Sequence, residues 1–270
     1  MSGARLRFTL LGCGSSPGTP RLGNDWGACD PNEPRNRRRR TALLIERILG
    51  EGARTVVVVD TGPDFREQML DAGIGWADGI VYTHEHADHV HGIDDLRGFH
   101  FNRRRLVDVY ADAPTMARLQ DGFGYCFAPP PGSMYRPMLA AHLIAPGEPF
   151  AIDGPGGPIT LLPFRQVHGN IESLGFRIGG FAYSSDINRL PEESASLLAG
   201  IDTWVVDALR YTAHPSHFTV DEAMEWARRL GVRRTIFTHM HIDLDYRTLE
   251  RTLPQGFEPG HDGLAIEVAA

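Results

Sequence analysis

The sequence predicts an α/β fold: a four-layer αββα sandwich in which two β-sheets pack face to face and helices cover both outer faces. Three observations predict it. Short apolar and β-branched runs bounded by Gly/Pro turns recur along the chain. Helical stretches fall among them without the regularity of a wound parallel sheet. The second half repeats the order of the first.

In chain order, strands are expected at residues 7–11, 42–45, 55–60 and 80–83. The run TVVVVD at 55–60 is apolar on both faces, as an interior strand must be. The loop GCGSSPG after the first strand has neither a P-loop lysine nor a full dinucleotide fingerprint, so it reads as a tight turn rather than a phosphate cradle. A short helix is expected at 63–70, a strand at 106–110 and a second helix at 113–120. Residues 123–150, rich in proline and glycine, read as a surface excursion that walls a cleft. Further strands are expected at 159–162, 173–178, 181–184, 203–206 and 234–238. One helix is marked at both ends: Thr219 and Glu222 have capping-box spacing, Val220, Ala223, Met224, Ala227 and Leu230 form one apolar stripe, and Gly231 supplies the stop.

No linker-like tract divides the 270 residues, so one domain over 1–270 is expected. A hydrophobic content of 42% suffices for a sizeable core, while a mean hydropathy of -0.24 without a long apolar run offers no membrane span. The first apolar run is shorter than that of a signal peptide. Cys13, Cys29 and Cys126 are odd in number and far apart, which suits a reducing compartment, so a cytoplasmic location is expected. A net charge of -7 gives no general affinity for nucleic acid. The runs Arg37 to Arg40 and Arg103 to Arg105 concentrate positive charge locally, either to meet a small anion or as solvated surface.

Chemistry is concentrated in THEHADHVHG, residues 83–92, where four histidines, one glutamate and one aspartate fall together. His84 and His86, two apart as the chain leaves a strand, can hold one ion; Asp88 and His89, at a loop-to-helix junction, can reach a second. The zinc-protease helix signature is absent, because Asp88 stands where its second histidine belongs; Glu85 is therefore expected to face solvent. Further ligands should sit at strand ends. His168, Asp186, Asp207 and His239 each terminate an apolar run, and Asp186 is the choice for a carboxylate bridging two cations. Spacing alone does not exclude His241.

With these residues in place, the chain resembles the metallo-β-lactamase fold superfamily, whose signature is such a cluster followed by one His, one Asp and one His. GCGSSPGTP, RNRRRR, SSD at 184–186, HPSH at 214–217 and THMHIDLD at 238–245 are similar to its branch of phosphoribosyl cyclic phosphate phosphodiesterases and ribonuclease Z. The resemblance implies a phosphodiesterase with two divalent metal ions, zinc in the first place, with manganese or iron also suited to these ligands. It places His84, His86 and His168 on one ion, Asp88, His89 and His239 on the other, and Asp186 between them. It further implies that His217 meets the phosphate or protonates the leaving oxygen, with Asp88 orienting the nucleophile. Asp60 and Asp207, at strand ends, are expected to hold ligating imidazoles. The expected substrate is a small cyclic phosphate or nucleotide, and a homodimer is common among such relatives.

Two departures qualify the resemblance. The cyclic phosphodiesterase holds a structural zinc through three early cysteines and a late histidine; here GNDWGACD keeps only Cys29 and the late position is Ile242, so that zinc is expected to be missing. The long arm with which ribonuclease Z grips transfer RNA has no clear counterpart unless residues 123–150 serve, so large RNA is not the expected partner. Two alternatives stay open: hydrolysis of an ester, thioester or lactone at the same centre, and a nucleotide-binding protein with a vestigial site.

Overall fold

The computed structural model describes residues 3–50, 52–134 and 136–269. Its strands are β1 (Arg5–Gly12), β2 (Ala42–Leu49), β3 (Ala53–Val59), β4 (Gly79–Val81), β5 (Val107–Ala111), β6 (Leu139–Leu143), β7 (Phe150–Ile152), β8 (Ile159–His168), β9 (Ile171–Ile178), β10 (Phe181–Ser184), β11 (Thr203–Asp207), β12 (Arg234–Thr238), β13 (Phe257–Pro259) and β14 (Ala265–Ala269). The helices are α1 (Phe65–Ala72), α2 (Ala87–Val90), α3 (Arg97–Arg103), α4 (Ala113–Phe127), α5 (Glu192–Leu197), α6 (Val220–Leu230) and α7 (Tyr246–Thr252). Among the described residues the strands form two seven-stranded sheets, ordered β14-β1-β2-β3-β4-β5-β6 and β13-β12-β11-β10-β9-β8-β7.

The TVVVVD run shows how the layers arise. Successive side chains of a strand point to opposite faces. Val57 and Val59 accordingly join the core shared by both sheets, and Val56 and Val58 join a second core with Phe65, Met69, Phe99 and Leu119 of the covering helices. Phe8 of β1 stacks on Phe181 of β10 at 3.7 Å between ring centres, tying sheet to sheet. On the far face Val220, Ala223 and Ala227 of α6 pack inward, and its Thr219–Glu222 capping box and left-handed Gly231 cap form as their spacing predicts. The expected sandwich is thus observed. No helix among the described residues is long and apolar enough to cross a membrane.

Two expectations need correction. The chain does not divide into two halves, because β14 returns from the C-terminal end to pair antiparallel with β1. Residues 123–150 are not merely an excursion: α4 runs on to Phe127, and β6 pairs in parallel with β5 as an edge strand. Leu139 is the one fully buried residue of β6, and His142 and the exposed Ala141 and Leu143 break the alternation that would announce the strand. The GCGSSPG segment forms the expected turn, with the Gly18 amide donating to the Ser15 carbonyl at 2.7 Å, and is also a backbone junction in which Gly14 bridges to both Arg40 and Met240. A Cβ at Gly12 would lie 2.1 Å from the carbonyl oxygen of Arg40, so only glycine permits the approach.

Strand direction positions the site. β3, β4 and β5 are parallel; β10, β11 and β12 are parallel, and β8 runs the same way because β9 is antiparallel to both β8 and β10. Their C-terminal ends therefore gather at one edge of the sandwich, where the Leu174 amide donates to the Thr83 carbonyl at 2.8 Å and links the two sheets.

The early loop is fastened without a cysteine cage. Cys29 Sγ donates to the carbonyl of Ile242 at 3.3 Å, the buried Arg38 guanidinium donates to the carbonyl of Leu244 at 2.6 Å, and Ile242 fills the space against Gly27. Asp245 caps α7 from the same segment. Burial alone would raise its pKa, but the Asn36 amide and the backbone amides of Asp30 and Thr248 override this and lower it to about 2. A carboxyl depressed from its ordinary 3.8 contributes stability that is present above pH 3.8 and is lost as pH falls towards 2. Asp245→Asn should flatten the loss of thermal stability between those pH values; an unchanged slope in pH-dependent melting would contradict this role.

Candidate metal centre

Strand ends supply most of the site. His168 is the last residue of β8 and Asp207 of β11; Asp186 lies two residues beyond β10, His239 follows β12 directly, and Asp60 follows β3. His84, His86, Asp88 and His89 lie between β4 and α2 and within α2. Asp60, Asp186 and His239 adopt left-handed backbone with φ of 67°, 42° and 55°, a conformation uncommon outside glycine that turns each side chain sharply at the end of its strand.

These residues form two groups of potential ligand atoms, each mutually within 4.8 Å: His84, His86, His168 and Asp186, and Asp88, His89, Asp186 and His239. Asp186 belongs to both, through different oxygens. Its Oδ2 lies 3.7 Å from His84 Nε2 and 3.5 Å from His168 Nε2; its Oδ1 lies 3.1 Å from His89 Nε2 and 3.4 Å from His239 Nε2. His86 enters through Nδ1, 3.2 Å from His168 Nε2, and Asp88 through Oδ2, 3.5 Å from His89 Nε2 and 3.7 Å from His239 Nε2. Ligands about 2.0–2.1 Å from a tetrahedral ion stand about 3.3 Å apart, the spacing of these atoms. Glu85 is half-buried and belongs to neither group, so it is less exposed than expected.

Unpaired polar atoms test the fit independently. His84 Nε2, His89 Nε2, His239 Nε2 and Asp186 Oδ1 are buried without a hydrogen-bond partner, an arrangement that a bound cation resolves. At His84, His89 and His168 the other ring nitrogen is held from behind, whereas His239 Nδ1 is buried without a partner. Thr83 Oγ1 accepts from His84 Nδ1 at 3.0 Å and donates to Asp60 Oδ2 at 2.9 Å, and Asp60 Oδ2 accepts from His89 Nδ1 at 2.7 Å. His168 Nδ1 donates to the Ser216 carbonyl at 2.7 Å. Each of these bonds presents Nε2 as the ligating atom. Burial, then neighbouring His89, holds His84 well below the ordinary imidazole value, which favours the neutral ring that a metal ligand requires. At His89 burial acts the same way but is outweighed by Asp186, Asp88 and Asp60, which draw positive charge to this position. The donor set fits divalent cations.

A third group, Asp207, His217 and His239, is a hydrogen-bonded one. Asp207 Oδ2 accepts from His217 Nδ1 at 2.7 Å, too close for two ligands of one ion, and also from the Ile187 amide at 3.0 Å. His217 is buried, its ring stacked on His239 at 4.7 Å and set edge-on to His168 at 4.7 Å. Burial opposes its protonation, but Asp207 prevails and raises its pKa to about 9. Asp207 thus holds His217, while its Oδ1 lies 3.9 Å from His239 Nδ1, outside hydrogen-bond range. The arginine runs take no part as blocks. Arg38 is buried in the loop fastening, Arg39 pairs with Asp71 and Asp262, Arg40 pairs with Asp64, and Arg103 and Arg105 lie over Trp76 near the opposite ends of the strands.

A model of the beta-lactamase superfamily domain matches residues 55–240. A diphosphatase of the PhnP family, known from its crystal structure, is 36% identical with a TM-score of 0.86, over 98% of this chain and 97% of that one. The chain belongs to the metallo-β-lactamase superfamily and, by that nearly end-to-end identity, to the PhnP family within it. The fold is shared with zinc-bound PqqB of Methylobacterium extorquens (16% identity, TM-score 0.69, 97% of this chain and 100% of that one) and with the short form of human tRNase Z (16%, 0.63, 96% and 98%). Among curated proteins, an octanoyltransferase of Porphyromonas gingivalis is 34% identical over 264 residues, 96% of this chain and 51% of that protein, so the chain spans about half the length of this relative. The superfamily is one of metal-dependent hydrolases.

Asp60→Asn tests the supporting shell, because asparagine tolerates the left-handed backbone but presents His89 with a neutral partner. Metal affinity measured by competition with a chelator should fall roughly 10–100-fold. Unchanged affinity would show that Asp60 does not tune the ligand.

Proposed function

We propose that this protein is a binuclear metal-dependent hydrolase that attacks phosphorus in a small phosphodiester or diphosphate, with His84, His86, His168, Asp88, His89, His239 and the shared Asp186 as ligands. The observation that carries this reading is the two-sided presentation of Asp186, one oxygen to each group of imidazoles. Zinc suits the nitrogen-rich donors, and manganese is the alternative. When bound, two divalent cations make hydroxide available near neutral pH and offset charge on the phosphoryl oxygens.

The chain's own groups complete the chemistry. Burial works against ionisation of Asp88, but the adjacent His89 and His239 hold its carboxyl well below the usual range; it remains an acceptor and orients the attacking water. His217, with Nδ1 committed to Asp207, has Nε2 left for the departing oxygen and donates the proton that this oxygen needs. The ring contacts with His168 and His239 fix that proton beside both ligand groups. The likeness to a PhnP-family diphosphatase supports phosphorus as the electrophile.

A second reading has its own support. The octanoyltransferase relative handles an acyl group, and the same centre can direct hydroxide at a carbonyl carbon of an ester or thioester. About half of that protein lies outside the match, so its activity need not reside in the matched part.

Zinc- or manganese-loaded protein assayed with bis-p-nitrophenyl phosphate and a nucleoside diphosphate beside an octanoyl thioester separates the two; turnover of the thioester alone would overturn the first reading. His217→Ala should retain its metals while kcat falls about 10²–10⁴-fold. Loss of metal in that variant would refute the proton-donor role.

A further inference from the structure

A cleft of about 350 Å³ opens against His86 and His168, two proposed ligands of one ion. Its other walls are the turn after β8, with Asn170 and Ile171, and the segment Pro215 to Ser216 that leads into His217. The cleft is therefore continuous with one ligand group and ends on the chain neighbour of the proposed proton donor.

Both walls are fastened. β8 and β9 pair as far as His168 and Ile171, so Gly169 and Asn170 alone make the turn. Gly169 has a φ of 60°, and a Cβ there would come within 2.9 Å of Ser216 Cβ, so the two walls meet as closely as only glycine allows. The Gly169 amide donates to Asn188 Oδ1 at 2.9 Å, and His168 Nδ1 donates to the Ser216 carbonyl at 2.7 Å. His214, which the proposed chemistry leaves unused, braces the second wall: its Nδ1 accepts from the Ser216 amide at 3.3 Å. A cleft with fixed walls selects by the shape and polarity of what enters it.

The walls have a definite chemistry. Apart from the two imidazoles, no titratable side chain lines the cleft. Ile171 and Pro215 are apolar, and Ser216 Oγ is engaged with His214 Nδ1 at 3.2 Å. The Asn170 side-chain amide is exposed and has no hydrogen-bond partner among the described residues. A carboxamide both donates and accepts, so it suits a neutral polar group and offers no charge to a second anion.

We propose that this cleft is the subsite for an uncharged organic group bonded to the phosphorus under attack, with Asn170 as the specificity-determining residue that selects against a second charge. The proposal rests on the phosphorus-directed reading of the site. It adds the nature of the group beside the reacting phosphorus, and it puts any further phosphate outside this cleft.

The test is calorimetric binding of phosphonates, whose P–C bond is not hydrolysed, to zinc-loaded protein. Phenylphosphonate should bind roughly tenfold more tightly than methylphosphonate, through burial of the ring against Ile171 and Pro215. Ile171→Ala should cut that preference about threefold and alter methylphosphonate binding by no more than about twofold. 4-Phosphonobenzoate, whose ring carries a second anion, should bind more weakly than phenylphosphonate. Asn170→Lys should reverse that order, because it sets a cation where the carboxylate enters. Metal content by elemental analysis should stay at the wild-type level in both variants. Equal affinity of the wild-type protein for phenylphosphonate and methylphosphonate, or an order of phenylphosphonate and 4-phosphonobenzoate that Asn170→Lys leaves unchanged, would overturn the proposal. Failure of the phosphorus-directed reading shows elsewhere, as turnover of thioester but of no phosphate substrate by the wild-type protein; the binding comparison decides the role of the cleft in either case.

Discussion

One carboxylate organises this molecule. Asp186 is almost wholly buried and faces imidazoles on both sides, its own left-handed backbone, two residues beyond the end of β10, swinging the side chain across the sandwich edge. A buried carboxylate without compensation is expensive. Here it is compensated by His84, His89, His168 and His239, which arrive from both sheets, so the charge on Asp186 and the meeting of the sheets are the same structural problem. The parallel run of β3, β4 and β5 and of β10, β11 and β12 solves it by bringing the strand ends to one edge.

A second consequence concerns the proton count of the cluster. Asp60, Asp88 and Asp186 surround His89, and Asp207 holds His217. Carboxylates so placed attract protons or metal cations to the same sites, and the orphaned Nε2 atoms of His84, His89 and His239 favour the cations. Thr83 and Asp60 on one side and the Ser216 carbonyl on the other then decide which nitrogen each ring presents.

Much of this was legible in the residues. Strand ends at His168, Asp186, Asp207 and His239 are visible because an abrupt polar residue closes each apolar run, and α6 is visible because its caps and stripe agree. The edge strands β6 and β7 are not, since they are short, lie in a stretch punctuated by Pro and Gly, and leave Ala141, Leu143 and Ala151 exposed, so their burial does not follow their apolar residues. The return of β14 to β1 is a long-range pairing that no local pattern encodes. At the site, the partition of the histidines between the two groups came from resemblance, not spacing. The arginine run Arg37 to Arg40 misled as a unit, because burial of Arg38 and the carboxylate partners of Arg39 and Arg40 give its members separate structural tasks.

The account stands most directly on where cations sit. Anomalous diffraction from crystals of zinc-loaded protein, collected on either side of the zinc absorption edge, should show two peaks flanking Asp186, one against His84, His86 and His168 and the other against Asp88, His89 and His239. A single peak between Asp207 and His217, or no peak among these residues, would contradict it.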